Sequence, residues 1–458
     1  MQIRLLAIFF GLLGCFTCAL AAEHDPTPAQ MREDLEFMKT EWVGGNKWLT
    51  PSERKSAVNQ LDDLIARADE LSVGEFVMGI MKVNAVQNNA HTLAALGYME
   101  TFDRLPLRFW RFSDGLYVVK THPDYTKYLG AKVEFFGGDV TADDAFSMMK
   151  EYVAGNDSWK TYLATVWLDR PDMLHALGLT RDPGRVYLTL RLQDGSGERA
   201  AFPAVSEAVR EYVYLQPWKE AIHRTKSESE AEPESPDRAY WPHVLDPVEE
   251  RPAYLSRDDR IFYELMPEFQ AAYMRVERIS NFGEPGSLEL ALFDLMESLS
   301  EDEPQNAILD LRYNQGGNFL QMVGFSQALP KFTSDDGKIF ILVNRATFSA
   351  ALVTIDMIVK HAGRHRVVLV GEPVGDFPQF RSEGDHVILP HSGIYAVYST
   401  GRHDLVDGCE ENEECWWGAR VFETGMGAIE PDIRIKEAYA DYVSGRDLYL
   451  EAIARALK

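Results

Sequence analysis

Between Thr50 and Leu71 the apolar positions fall at helical spacing: Ala57, Leu61, Leu64, Ile65, Ala68 and Leu71 lie on one face. Thr50-Pro51-Ser52-Glu53 ahead of them is a capping box with Pro at the first helical position, so the pattern predicts a helix that begins there. A second apolar helical run from Phe76 to Val86 gives way to Asn88-Asn89-Ala90-His91-Thr92, a helix end followed by a loop. From Arg108 to Phe202 the runs shorten to strand length, as in Gly115–Lys120 and Val186–Arg191, with Gly and Asp turns between them, which predicts a small β-rich unit. Ser227 to Asp237 is acidic and has no apolar period, the texture of a linker. After Arg251 come three continuous apolar runs, Ala307–Leu311, Lys338–Val343 and Arg366–Val370, of the kind found in strands buried on both faces. Helical stretches separate them, so a layered α/β unit with a largely parallel sheet is expected.

The chain therefore divides into a helical unit over 23–107, a β-rich unit over 108–205, an acidic linker region over 206–250 and an α/β unit over 251–458. Its 458 residues, 46% hydrophobic and 26% charged, are enough for two or three folded units of ordinary globular composition. A net charge of -25 repels phosphate backbones and anionic headgroups, which argues against nucleic acid as a partner and mildly favours cationic peptides.

At the N-terminus Arg4, the apolar run Leu5 to Leu13 and the small residues Ala19 to Ala22 form a secretory signal over residues 1–22, so the mature chain is expected to be periplasmic or secreted. A competing reading ends the signal at Leu12-Leu13-Gly14-Cys15, with Cys15 lipidated. No later stretch approaches the ~20 apolar residues of a spanning helix. Cleavage near Ala22 leaves only Cys409 and Cys415, whose close spacing suits a small disulfide loop in an oxidising compartment; no second Cys or His pair offers zinc-ligand spacing.

Two strand-to-loop junctions carry candidate chemistry. In Asp310-Leu-Arg-Tyr-Asn-Gln-Gly-Gly317-Asn318, adjacent glycines after a buried strand let backbone N–H groups converge. In Val343-Asn-Arg-Ala-Thr-Phe-Ser-Ala-Ala351, a serine stands where a strand ends and a small-residue helix begins, beside free backbone donors. Alone, the first is an ordinary turn and the second an ordinary cap. Together they supply a nucleophile and an oxyanion hole, the requirements of acyl transfer.

These segments resemble the tail-specific, or C-terminal processing, serine peptidase family, which includes the tricorn core protease and has a crotonase-like α/β catalytic domain. Leu369-Val-Gly-Glu-Pro-Val-Gly375, Leu389-Pro-His-Ser-Gly393 and Ile429-Glu-Pro-Asp-Ile433 continue the resemblance in order over most of 251–458. It implies Ser349 as nucleophile and the N–H groups of Gly317 and Ala350 as the oxyanion hole. One branch activates the serine with a Lys just after the motif that Gly371-Glu372 begins. Here Asp376 stands at about that place, and no Lys occurs between Lys360 and Lys436. The tricorn-like branch uses a His from the N-terminal unit, in a segment ending His-Thr, which Asn89-Ala90-His91-Thr92 matches. Its third residue is a Glu shortly before the Pro-Asp motif: Glu423 is the nearest match, with Glu430 the fallback.

Of the other histidines, His391 is the substitute base, and His361, His365, His386 and His403 read as surface or packing residues. Bringing His91 to Ser349 requires the N-terminal unit to fold back onto the α/β unit. The β-rich unit resembles a PDZ-like domain at Ser113–Val119 and Leu129–Val133, with a plain structural β-domain as the alternative. The reading that follows is an exported serine endopeptidase acting on proteins or peptides, active or partner-controlled, without a cofactor and with homo-oligomerisation left open. The rival is a non-catalytic binding protein for apolar ligands or peptides on the same scaffold.

Overall fold

The computed structural model describes residues 25–205, 241–249, 251–256, 260–281 and 285–458. The secretory signal, with Cys15, and the acidic segment Ser227–Asp237 lie outside them.

The helix Pro51–Ala66 starts where the capping box places it, with Thr50 accepting from the Glu53 N–H, and Val73–Asn84 follows behind an equivalent Ser72–Glu75 box. Their apolar faces pack together and share a core with an antiparallel sheet of β1 (Leu107–Phe112), β2 (Gly115–Thr121), β3 (Lys132–Phe136), β5 (Arg185–Arg191) and β6 (Gly197–Pro203), in that order, with the short β4 (Val140–Thr141) on β3. One core joins the two units, running from Leu35 and Trp42 through Phe76 to Phe136 and Phe202. The stretch expected to be β-rich also holds the helices Ala142–Lys150, Asp157–Trp167 and Pro171–Ala176. Thr141 and Asn156 cap the first two through their side chains, a start signal that the short apolar runs around them obscure.

The second sheet is ordered β14 (Ile433–Arg434), β11 (Val367–Gly371), β10 (Ile339–Val343), β9 (Asn306–Asp310), β8 (Ala271–Val276) and β7 (Ile261–Met266), parallel throughout except for the β7–β8 pair. The continuous apolar runs are buried on both faces, as expected. Ile339, Ile341 and Val343 face the helices Ser287–Asp302 and Ala350–Ala362, while Phe340 and Leu342 face the C-terminal helix Leu448–Ala456. A long hairpin, β12 (Gln379–Ile388) and β13 (Tyr395–Asp404), leaves this unit and reaches the N-terminal helices.

Where β9 ends, Arg312 is 2% exposed and bonds Asp310 at 2.6 Å and Asp447 at 3.0 Å. Burial pushes Asp310 up, but the Arg312 guanidinium outweighs it and holds the carboxyl below its ordinary value. Asp447 also caps the helix Leu448–Ala456, so one guanidinium ties the glycine loop to the C-terminal helix. Removing one partner of a buried ion network strands the others, so Arg312→Ala is expected to cost about 3–5 kcal/mol, read from urea unfolding.

Candidate active site

Three loops meet at the C-terminal ends of β9, β10 and β11, and polar side chains staple them. Asn314 takes the Phe348 N–H on its carbonyl and sends its side-chain amide to the Val276 carbonyl at 2.8 Å. Thr347 donates to the Leu311 carbonyl at 2.8 Å, and its own carbonyl accepts the Gly375 N–H. Asn344 accepts from the N–H groups of Tyr313 and Ala346.

Backbone strain gathers here. Seven described non-glycine residues have positive φ, and four of them, Asn88, Ala95, Tyr313 and Ser349, lie in the three segments that build the site. Ser349, at φ 57° and ψ -124°, forms a sharp turn into the helix Ala350–Ala362. Such a conformation costs about 1–3 kcal/mol and persists only where the surroundings impose it. It lifts the hydroxyl away from its own helix: the side chain makes no capping bond.

Both glycines of the loop are required. A Cβ on Gly316 would lie 2.7 Å from the Ala350 nitrogen and 2.8 Å from the Ser349 Cβ, and one on Gly317 would lie 1.9 Å from the Ile279 carbonyl oxygen. The glycine loop therefore presses against the serine turn. The N–H groups of Gly317 and Ala350 have no acceptor among the described residues.

His91 reaches this point from the other end of the chain. Asn89 bonds Arg381 of β12 in both directions, at 3.1 and 2.9 Å, and Asn84 donates to the Val397 carbonyl of β13 at 3.1 Å. The hairpin thus clips the N-terminal segment in place, which is the fold-back the Ser349–His91 pairing needs. His91 Nε2 stands 2.8 Å from the Ser349 Oγ, across 258 positions of sequence. The ring is clamped between Phe348 (centroids 4.5 Å apart) and Phe380 (5.0 Å).

On its far side His91 Nδ1 faces Asp376 Oδ2 at 3.5 Å, and both atoms are buried without another partner. Burial, with a lesser contribution from the charge of His403, lowers His91 to about 3. Burial likewise holds Asp376 well above the ordinary carboxylate range, only partly offset by the N–H groups of Phe377 and Ser349. His91 is thus neutral at rest, and the 3.5 Å gap to Asp376 is of the kind that tightens when substrate closes a site.

Two solved structures match this fold over nearly the whole chain. Mature CPAF superposes with a TM-score of 0.52 at 15% sequence identity, over 94% of this chain and 97% of that one. A serine-to-alanine variant of CPAF gives 0.54 at 14% identity and the same coverage. The fold is that of CPAF. The photosystem II D1 C-terminal processing protease aligns over the same shares at a TM-score of 0.36 and 11% identity, too loosely to carry weight. No family model matches the sequence, and no curated protein matches it. Because the CPAF likeness spans nearly the whole chain, it takes in the N-terminal helices as well as the sheet.

The remaining candidates lie apart from the Ser349–His91 contact. Glu423 is fully buried, but its carboxylate bonds His403 Nδ1 at 2.5 Å and the Asp404 N–H at 2.9 Å, with no hydrogen bond to His91. Glu430 is exposed and pairs with Arg434. His391 binds Glu33 on the N-terminal helix at 2.6 Å. Cys409 and Cys415 are joined in a disulfide whose loop lies beside Glu423 and Thr424.

Sequence reasoning noticed Asp376 only as the residue standing where a Lys would be, and set His403 aside among the surface or packing histidines. The first had a positional signal in Gly371-Glu-Pro-Val-Gly375. The second had none, because its partners Ser382 and Glu423 lie 21 and 20 residues away on other elements.

Proposed function

We propose that this chain is an exported serine endopeptidase that cleaves protein or peptide substrates through an acyl-enzyme on Ser349. The observation that carries the reading is the 2.8 Å contact between His91 Nε2 and Ser349 Oγ, beside two free backbone donors. The Ser349 oxygen attacks the scissile carbonyl while its proton passes to His91 Nε2. The N–H groups of Gly317 and Ala350 receive the oxyanion, where preorganised donors are worth most. His91 then returns the proton to the leaving amine, and water repeats the sequence to release the acyl group. Once the 3.5 Å gap closes, Asp376 accepts from Nδ1–H, which fixes the tautomer whose Nε2 is free to take a proton.

The Cys409–Cys415 disulfide favours an oxidising compartment, in keeping with the signal sequence. Among the described residues no helix is long and apolar enough to cross a membrane. A binding protein on the same scaffold would have no use for a strained serine in contact with a clamped imidazole.

The test is hydrolysis of an internally quenched peptide library, with products located by mass spectrometry. Internal cleavage by the wild-type chain and none by Ser349→Ala supports the reading; equal cleavage by both ends it. Because burial holds His91 near 3, the acid limb of kcat/KM is expected well below pH 6.5, the ordinary imidazole value. A limb at or above 6.5 in the pH–rate profile would mean that burial does not govern the base.

A further inference from the structure

The clamp on His91 belongs to a longer column. Trp159 stacks on Phe348 at 4.2 Å, Phe348 on His91, His91 on Phe380, and Phe380 on a second imidazole, His403, at 4.6 Å with only 6° between the planes. His403 is 2% exposed at its side chain and is held at both nitrogens. Nδ1 lies 2.5 Å from Glu423 Oε1, and Nε2 lies 2.7 Å from the Ser382 Oγ. The Ser382 hydroxyl in turn stands 3.0 Å from Glu383 Oε1.

The directions of these bonds determine what the ring carries. Glu423 can only accept, so Nδ1 holds a proton. If Ser382 spends its hydroxyl proton on Glu383, its oxygen is left to accept from Nε2, and the ring holds two protons. With both nitrogens donating, the ring stands as an imidazolium between Glu423 and, through Ser382, Glu383. Its charge faces His91 through a single phenyl ring.

The trio has the order of a nucleophile, base and acid. Ser382, however, lies within β12, is 8% exposed and does not open a helix.

We propose that the buried Ser382–His403–Glu423 relay is a positioning unit for the peptidase site: it fixes the Phe380 face of the clamp, and its charge keeps His91 free to take the proton of Ser349. The proposal rests on the Ser349–His91 reading above and gives Glu423 a role that runs through His403 rather than through contact with His91.

The charged groups around His403 are few. Glu423 follows the helix Trp417–Phe422, Glu383 lies on β12, and Arg402 and Asp404 flank His403 on β13, bonded to each other at 2.9 Å. Asp356, on the helix Ala350–Ala362, is raised to about 6 by burial and, to a lesser degree, by Glu423. Phe319, Phe380 and Trp416 supply uncharged walls. Among the described residues, Asp376 and, through Phe380, His403 are the charged or titratable groups that face His91.

With centroid gaps of 5.0 and 4.6 Å, the imidazoles stand roughly 10 Å apart. A cation at that range, partly offset by Glu423 behind it, displaces a proton equilibrium by about half a pH unit.

The experiment follows the rate of fluorophosphonate labelling and the kcat and KM of peptide hydrolysis from about pH 2 to 8, spanning the value of about 3 held by His91. It compares wild type, His403→Gln, Glu423→Gln and their double variant, with folding checked by circular dichroism at each point. The acid limb is expected to move up by about half a pH unit in His403→Gln and in the double variant, and to move down in Glu423→Gln, where the cation loses its offset, with KM unchanged. A limb that stays in place in all three, with only a uniform loss or a lower melting temperature, makes the relay a structural tie and overturns the proposal. Ser349→Ala and His91→Ala run alongside keep the two readings apart. If those two still label, the peptidase reading itself fails, wherever the limb lies.

Discussion

Ser349→Ala and His91→Ala are each expected to lower kcat/KM for peptide hydrolysis about 10⁴–10⁶-fold, and the double variant is expected to be no worse than either alone. The reason lies in the contact itself. A serine hydroxyl at its free pKa is a poor nucleophile, and it gains reactivity only as His91 Nε2, 2.8 Å away, takes its proton. Remove either group and the other has nothing left to do. What survives is binding and the two free N–H groups of Gly317 and Ala350, common to all three variants. Circular dichroism should be unchanged for Ser349→Ala, since its side chain makes no capping bond. Losses that multiply in the double variant would show that the two side chains act separately.

Asp376→Asn is expected to lower kcat about 10²–10⁴-fold with little change in KM. The argument turns on one neighbouring amide. Phe377 donates its N–H to Asp376 Oδ1 at 2.9 Å, so an Asn here must place its carbonyl oxygen at that position and its NH₂ where Oδ2 now faces His91 Nδ1. That NH₂ demands an acceptor at Nδ1, which moves the imidazole proton to Nε2 and leaves no lone pair to receive the proton of Ser349. The variant keeps the shape of the site and loses its tautomer. Steady-state kinetics at several pH values distinguish this from a folding defect, which would lower the melting temperature and leave the surviving activity with its wild-type KM and pH profile. Activity within a factor of a few of wild type would remove Asp376 from the mechanism.

Much of this site could be read from the chain because its parts are local. The glycine pair after β9 and the serine turn after β10 each declare themselves within a few residues: a buried strand must stop, and only particular backbones can follow it. The capping boxes at Thr50 and Ser72 are equally short-range signals. His91 was legible through its resemblance to a known segment, although the 258 positions that separate it from Ser349 give no local hint of contact.

What stayed hidden depends on the hairpin. Phe380, Ser382 and His403 sit among half-buried and buried polar neighbours on β12 and β13, and their common face becomes visible only when the strands pair and lie along the His91 loop. Glu423 drew notice for its place before Pro431-Asp432, yet its carboxylate is committed to a histidine on a neighbouring strand. The helices among β1 to β6 were hidden for a different reason: runs as short as Asp157–Trp167 carry strand-like aromatic residues, and only the Asn156 cap marks the change.

The most direct test of the central claim is to map the fluorophosphonate adduct by tryptic mass spectrometry of the mature protein. The account predicts one adduct, on Ser349, absent from His91→Ala. An adduct on another serine, Ser382 included, or an unmodified Ser349 in a folded protein that cleaves peptides, would contradict it.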